Sequence, residues 1–133
     1  TSYSPLQTLN EAYKVALLNN CSWLDSYHAF YLATRGSAKS AHLEDTVGSL
    51  QAGLEADFVV LDLESTPFLK FRNQYAKDLK EALFVQMICG DDRAIHATYV
   101  DGDCVYKIDE QYPKGVFLNR AAFLNEINHQ EEV

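Results

Sequence analysis

Apolar positions in the first segment fall at Leu6, Leu9, Tyr13, Ala16 and Leu17, the periodicity of one helix face. Ser4 and Pro5 stand before them as N-cap and first helical residue, and Asn19-Asn20 punctuates the far end. The pattern therefore predicts a helix from Pro5 to about Asn19. A second helix is predicted from Ser26 to about Ala41, capped by Asp25 or Ser26, with Phe30, Ala33, Ser37, Ala38 and Ala41 facing inward. Those inner residues are mostly small, which lets a neighbouring element approach closely. Gly36 weakens this helix by about 1 kcal/mol against alanine and marks the place for a break.

Further along, the period changes. Gly48 and Gly53 bracket a short segment, and Phe58-Val59-Val60-Leu61 forms an unbroken apolar run between Asp57 and Asp62. Such a run reads as a strand buried on both faces. From Thr66-Pro67 to Ala76 no period is legible. Asp78 then caps a third helix through Leu79, Leu83, Met87 and Ile88, ending at Gly90. Asp91-Asp92-Arg93 is a polar turn. Ile95–Val100 and Cys104–Lys107 flank Asp101-Gly102, the signature of a type I′ hairpin. In the tail, Phe117, Ala121, Leu124 and Ile127 share a stripe that predicts a terminal helix from Val116 to about Gln130. The fold class is thus α+β, with four helices and a small mixed sheet. That sheet is small for its apolar content, so it is expected to be an incomplete layer whose other strands lie elsewhere.

Composition narrows the function classes. A chain of 133 residues with 47% hydrophobic and 23% charged residues is long enough for one domain with a real core and is not a disordered segment. A formal net charge of -8 argues against a protein that tracks nucleic-acid phosphates or an anionic membrane surface. No apolar run approaches the length of a membrane span, and no signal peptide is visible. Cys21, Cys89 and Cys104 are odd in number and widely spaced, which fits free thiols in a reducing cytoplasm. The first residue is Thr1 rather than Met, consistent with processing, trimming or a fragment.

No local constellation carries chemistry. His28, His42, His96 and His129 show neither H-x-H nor i, i+4 spacing, so they read as surface, strand or tail residues rather than metal ligands. The H-x-E and P-C-x-x-C elements of small zinc deaminases are absent. Asp91 and Asp92 are neighbours, and adjacent carboxylates point apart rather than converge on a substrate. Gly48 and Gly53 are too isolated for a phosphate loop, and the aromatic residues fall in the periodic stripes of a core.

One stretch is more specific. Gly48-Ser49-Leu50-Gln51-Ala52-Gly53-Leu54-Glu55-Ala56-Asp57-Phe58-Val59-Val60-Leu61-Asp62 resembles the carboxy-terminal signature of the amidohydrolase superfamily. There it marks the return from a (β/α)8 metal-dependent barrel to a small β-sandwich. Leu6 to Val15, Ala29 to Thr34, Gly36 to Lys39, Gly90 to Ile95 and Thr98 to Gly102 resemble flanking stretches of the guanine deaminase family. The resemblance covers most of Thr1 to Tyr106 and does not extend past Lys107.

The resemblance implies a carboxy-terminal piece. Residues 1–46 would be the helices following the last barrel strand, 47–107 the sandwich return with an inserted helix, and 108–133 a tail helix. Members of that family use zinc to activate a water that converts guanine to xanthine and ammonia. Their zinc ligands would all lie upstream of Thr1. No catalytic, substrate-binding or metal-binding residue is therefore carried onto this chain, and no cofactor is expected in it. Its implied partners are the amino-terminal catalytic barrel portion and, for the whole enzyme, a second copy. No nucleic acid and no membrane is expected, and the location implied is cytoplasmic. The alternative is a stand-alone truncated remnant acting as an oligomerisation or binding module, since an orphaned sheet leaves an apolar face and a strand edge open.

Overall fold

The computed structural model describes residues 3–108 together with the backbone of Val116–Phe117. Helix α1 spans Pro5–Leu18, with the Ser4 hydroxyl accepting from the Gln7 amide and Pro5 in the first turn. It ends at Asn19, and Asn20 takes a left-handed conformation with φ 54°. Helix α2 spans Ser26–Tyr31 and continues through a π turn, Leu32–Gly36, into α3, Ser37–Ser40. Asp25 supplies the cap, accepting from the His28 amide at 3.0 Å.

The predicted second helix thus persists through Gly36 without a break, but its inner face differs from the predicted one. Ser26, Ala29 and Ala38 are buried, whereas Ala33, Ser37 and Ala41 are exposed. The π turn is the reason. A residue added to one turn rotates everything after it out of the 3.6-residue phase. That rotation lets the Arg35 guanidinium donate to the Glu44 carbonyl and sets Ala38 against Gly48. Gly48 has φ +95°, and a Cβ on it would lie 2.6 Å from the Ala38 Cβ, so glycine is required there.

Strand β1 is Phe58–Leu61. The stretch without a legible period folds as helix α4, Pro67–Asn73, capped by Thr66, whose hydroxyl accepts from the Leu69 amide at 3.1 Å. Helix α5 is Leu79–Cys89. Asp78 caps it by accepting from Glu81, and Glu81 in turn accepts from the Lys77 amide at 2.8 Å. Its buried positions are Val85, Gln86 and Met87, with Leu83 half-buried; Leu79, predicted to face inward, is 62% exposed. A 3-10 turn at Asp92–Ala94 leads into β2, Ile95–Val100, and β3, Asp103–Lys107. The hairpin has the predicted turn, with φ 51° at Asp101 and 80° at Gly102.

The sheet has the order β1-β2-β3-β4, where β4 is Val116–Phe117. Every pairing is antiparallel, in place of the mixed sheet expected. The α+β class stands, and so does the number of helices if α2, the π turn and α3 are one rod. The fourth helix is α4, however. Val116 and Phe117, expected to open the tail helix, pair with β3 instead, and the rest of that predicted helix lies outside the described residues. Strand β1 is not buried on both faces, since Val59 and Val60 are 48% and 39% exposed.

The core is helical. Leu9 of α1, Leu24, Ala29 of α2 and Met87 of α5 form it, with Tyr13, Ala16, Phe30 and Ile88 packed around them. Two buried polar groups tie the parts together. The Ser26 hydroxyl donates to the Lys80 carbonyl at 2.7 Å, and the Gln86 amide donates to the Leu63 carbonyl at 3.1 Å, just beyond β1.

Candidate functional site

Chemistry-bearing side chains gather at three places. The first joins the N-terminus of α2 to the first turn of α5. One carboxylate oxygen of Asp25 accepts from the His28 amide and lies 2.8 Å from His28 Nδ1; the other lies 2.7 Å from Lys80 Nζ. The His28 ring meets Trp23 edge-on at 5.8 Å, and Lys80 Nζ sits 5.9 Å from the centre of the Tyr27 ring. Lys80 and the His28 amide hold the Asp25 carboxyl well below the usual carboxylate range, and Asp25 in turn raises Lys80. A carboxylate held this firmly ionised is a weak proton acceptor. Its work is to fasten α2 to α5.

The second place is the turn before β2. Asp91 caps the 3-10 turn through the Arg93 amide and grips the Arg93 guanidinium at 2.6–3.1 Å. Arg93 lowers the Asp91 pKa and is itself raised. The pair is local, and Asp92 adds a weaker electrostatic pull on the same Arg93. The third place is the hairpin, where Tyr99 and Cys104 are register partners. The neighbouring Cys104 raises the Tyr99 pKa, and burial adds to the same direction.

A cleft of about 640 Å³ opens between the C-terminal half of α1, the end of α4 and the start of α5. Tyr13, Leu17, Leu24, Tyr75 and Phe84 line it, and the Asp25–Lys80 pair stands at its rim. Its exposed walls are mainly apolar, although Cys21, Arg72, Asp78 and Glu81 also line it.

The three described histidines remain apart. His28 is committed to Asp25 and Trp23, His42 follows α3 on the surface, His96 is half-buried in β2, and His129 lies outside the described residues. Cys21, Cys89 and Cys104 are free and half-buried. Among the described residues no three His, Cys, Asp or Glu side chains come together as a metal site. None of the described helices is long and apolar enough to cross a membrane. Sequence reasoning offers Asp25 or Ser26 as the cap; the structure selects Asp25 and adds its tie to Lys80. The only local signal is the cap itself, because the partner comes from a distant element.

A profile of the amidohydrolase family matches residues 1–106. Guanine deaminase of Escherichia coli (strain K12) is 50% identical over 107 residues, which are 80% of this chain and 24% of that protein. Guanine deaminase of Dictyostelium discoideum is 32% identical over 77 residues, 56% of this chain and 16% of that protein. In three dimensions the solved E. coli guanine deaminase superposes with a TM-score of 0.76, covering 79% of this chain and 24% of that one. The guanine deaminase of Bradyrhizobium japonicum gives 0.67 at 28% identity, covering 79% and 28%. The chain spans between 16% and 28% of the length of these relatives.

Proposed function

The chain belongs to the amidohydrolase family, and from that premise we propose that it is the carboxy-terminal, structural part of a guanine deaminase. The observation that carries the reading is the 50% identity over 107 residues to the E. coli enzyme, joined to the matching fold. In this reading the parent reaction converts guanine and water to xanthine and ammonia in the cytoplasm, on a zinc held by the catalytic portion. The described residues of this chain do not fit a zinc site: His28 is already bound to Asp25, and the other donors do not meet. No step of the reaction is assigned to them.

What the chain contributes is scaffold. Helix α1 braces the catalytic portion, α5 locks α1 and α2 together through Met87 and the Asp25–Lys80 tie, and the hairpin supplies part of a second layer. Its partner is the rest of the polypeptide, and the assembled enzyme is a homo-oligomer.

Complementation tests this. E. coli guanine deaminase lacking its matching segment is expressed with and without this chain, and xanthine formation is followed. The chain alone is expected to show no turnover and no stoichiometric zinc, while the pair recovers activity. Turnover of guanine by the chain alone, with one zinc per chain, would overturn the proposal. A pair that never associates would favour a stand-alone module instead.

A further inference from the structure

The cleft between α1, α4 and α5 carries on its own walls the groups suited to close it. Leu17 of α1, Tyr75 just past α4 and Phe84 of α5 all line it, and they are 54%, 63% and 36% exposed. Three apolar side chains thus face one opening from three elements. Charge is divided across the same opening. Arg72 lines it from α4 and Glu81 from α5. One Glu81 oxygen accepts from the Lys77 amide; among the described residues, the other oxygen and the Arg72 guanidinium have no partner.

The end of α4 is lightly held. Leu69 is the buried side chain of this helix. Its last turn is stretched, with the Gln74 amide donating to the Lys70 carbonyl and the Tyr75 amide to the Arg72 carbonyl, each at 3.3 Å. The Asn73 Oδ1 is buried without a partner among the described residues, so it gives up no bond when the turn shifts. The Tyr75 ring meets Phe71 edge-on at 5.4 Å, but Phe71 is itself 53% exposed, and little burial is lost if Tyr75 turns away.

We propose that the end of α4 is a strap that closes this cleft, pivoting on Leu69 so that the Tyr75 ring packs on Leu17 and Phe84 while Arg72 reaches Glu81. Closure takes apolar surface of all three side chains out of water and pairs two charges across the mouth. A charged small molecule is the poorer occupant: Asp25, Asp78 and Glu81 face Arg72 and Lys80 in the lining, which favours neither sign strongly. The strap also leaves the bracing role of α1 untouched. Val15, 55% exposed, lies on the opposite side of α1 from Tyr13 and Leu17, so the catalytic portion and the strap use different sides of that helix.

The unaltered full chain gives the first test. Nuclear Overhauser cross-peaks between the Tyr75 ring and the Leu17 methyl groups are expected, and their absence would overturn the proposal. Cys21 lines the same cleft, so its alkylation by iodoacetamide, read by mass mapping of its peptide, follows closure separately. Tyr75→Ser should speed that alkylation about tenfold by shifting the population toward the open form. Arg72→Glu should speed it about threefold, the effect of losing one exposed ion pair. Tyr75→Phe keeps the ring and should hold the parental rate, and Cys89 and Cys104 should keep theirs in every variant. A Cys21 rate indifferent to both Tyr75→Ser and Arg72→Glu would refute the strap. Equal acceleration at all three thiols would mean general loosening and would refute it too.

Discussion

Met87 and Val59 are both apolar and both sit in regular structure, yet Met87 has no exposure while Val59 keeps 48%. The helices build a core from material within the described residues, where Leu9 of α1, Ala29 of α2 and Met87 of α5 meet around Leu24. The strands carry apolar side chains on two faces and meet nothing comparable on the face that Val59 occupies. A helix needs one partner surface; a strand with consecutive apolar residues needs two layers. The helical part closes a core but leaves Leu17, Leu18, Phe68, Phe71 and Leu79 more than half exposed, so both regions depend on what is brought to them.

The difference can be broken at its strongest point first. Met87→Ala should lower unfolding free energy by about 2–5 kcal/mol in urea titration, the range for emptying a packed methionine site. Gly48→Ala comes next. A methyl group at φ +95°, pressed against Ala38, should cost about 3 kcal/mol and loosen the π turn, seen as faster amide exchange in residues 32–38. Ser26→Ala removes the buried bond to the Lys80 carbonyl and should cost about 1–3 kcal/mol in the same titration.

Acid sharpens the comparison from another side. The folded state holds the Asp25 pKa below its ordinary value of 3.8, so the ionised carboxylate favours folding. That contribution is fully present above the ordinary value and is lost as pH falls through the lowered one. Asp25→Asn should therefore flatten the acid limb of the stability–pH curve and leave its neutral-to-alkaline shape largely alone. Parent and variant curves that coincide below pH 4 would remove the tie between α2 and α5 from the account. The smallest effect belongs to the sheet. Val60→Thr, at a 39% exposed strand position, should change stability by about 0.5 kcal/mol or less, since threonine suits a strand and little packing is lost.

Several features are legible in the amino-acid sequence alone. Ser4-Pro5 opens α1, Asp78 opens α5, and Asp101-Gly102 turns the hairpin, each through chemistry confined to a few neighbouring residues. The signature from Gly48 to Asp62 points to the amidohydrolase family, which the profile match bears out. Helix α4 is signalled by Thr66-Pro67, a fair cap and first turn, and by Phe68, Phe71 and Tyr75 at i, i+3 and i+7, but with seven residues it is too short for its period to stand out. Leu79 misleads for a related reason, as it has the spacing of a core residue but sits at the helix end, before the packing against α1 and α2 begins.

By itself the sequence determined where elements begin and turn, because caps, prolines and left-handed residues act over one turn of chain. It also determined which family the chain joins. The tertiary structure alone decided which faces are inside. The π turn rotates α3 so that Ala38 meets Gly48, Lys80 arrives at Asp25 from another helix, and Gln86 reaches Leu63 beyond β1. Those outcomes rest on contacts between distant segments, whose free energy depends on shape and reach that no local pattern of residues encodes.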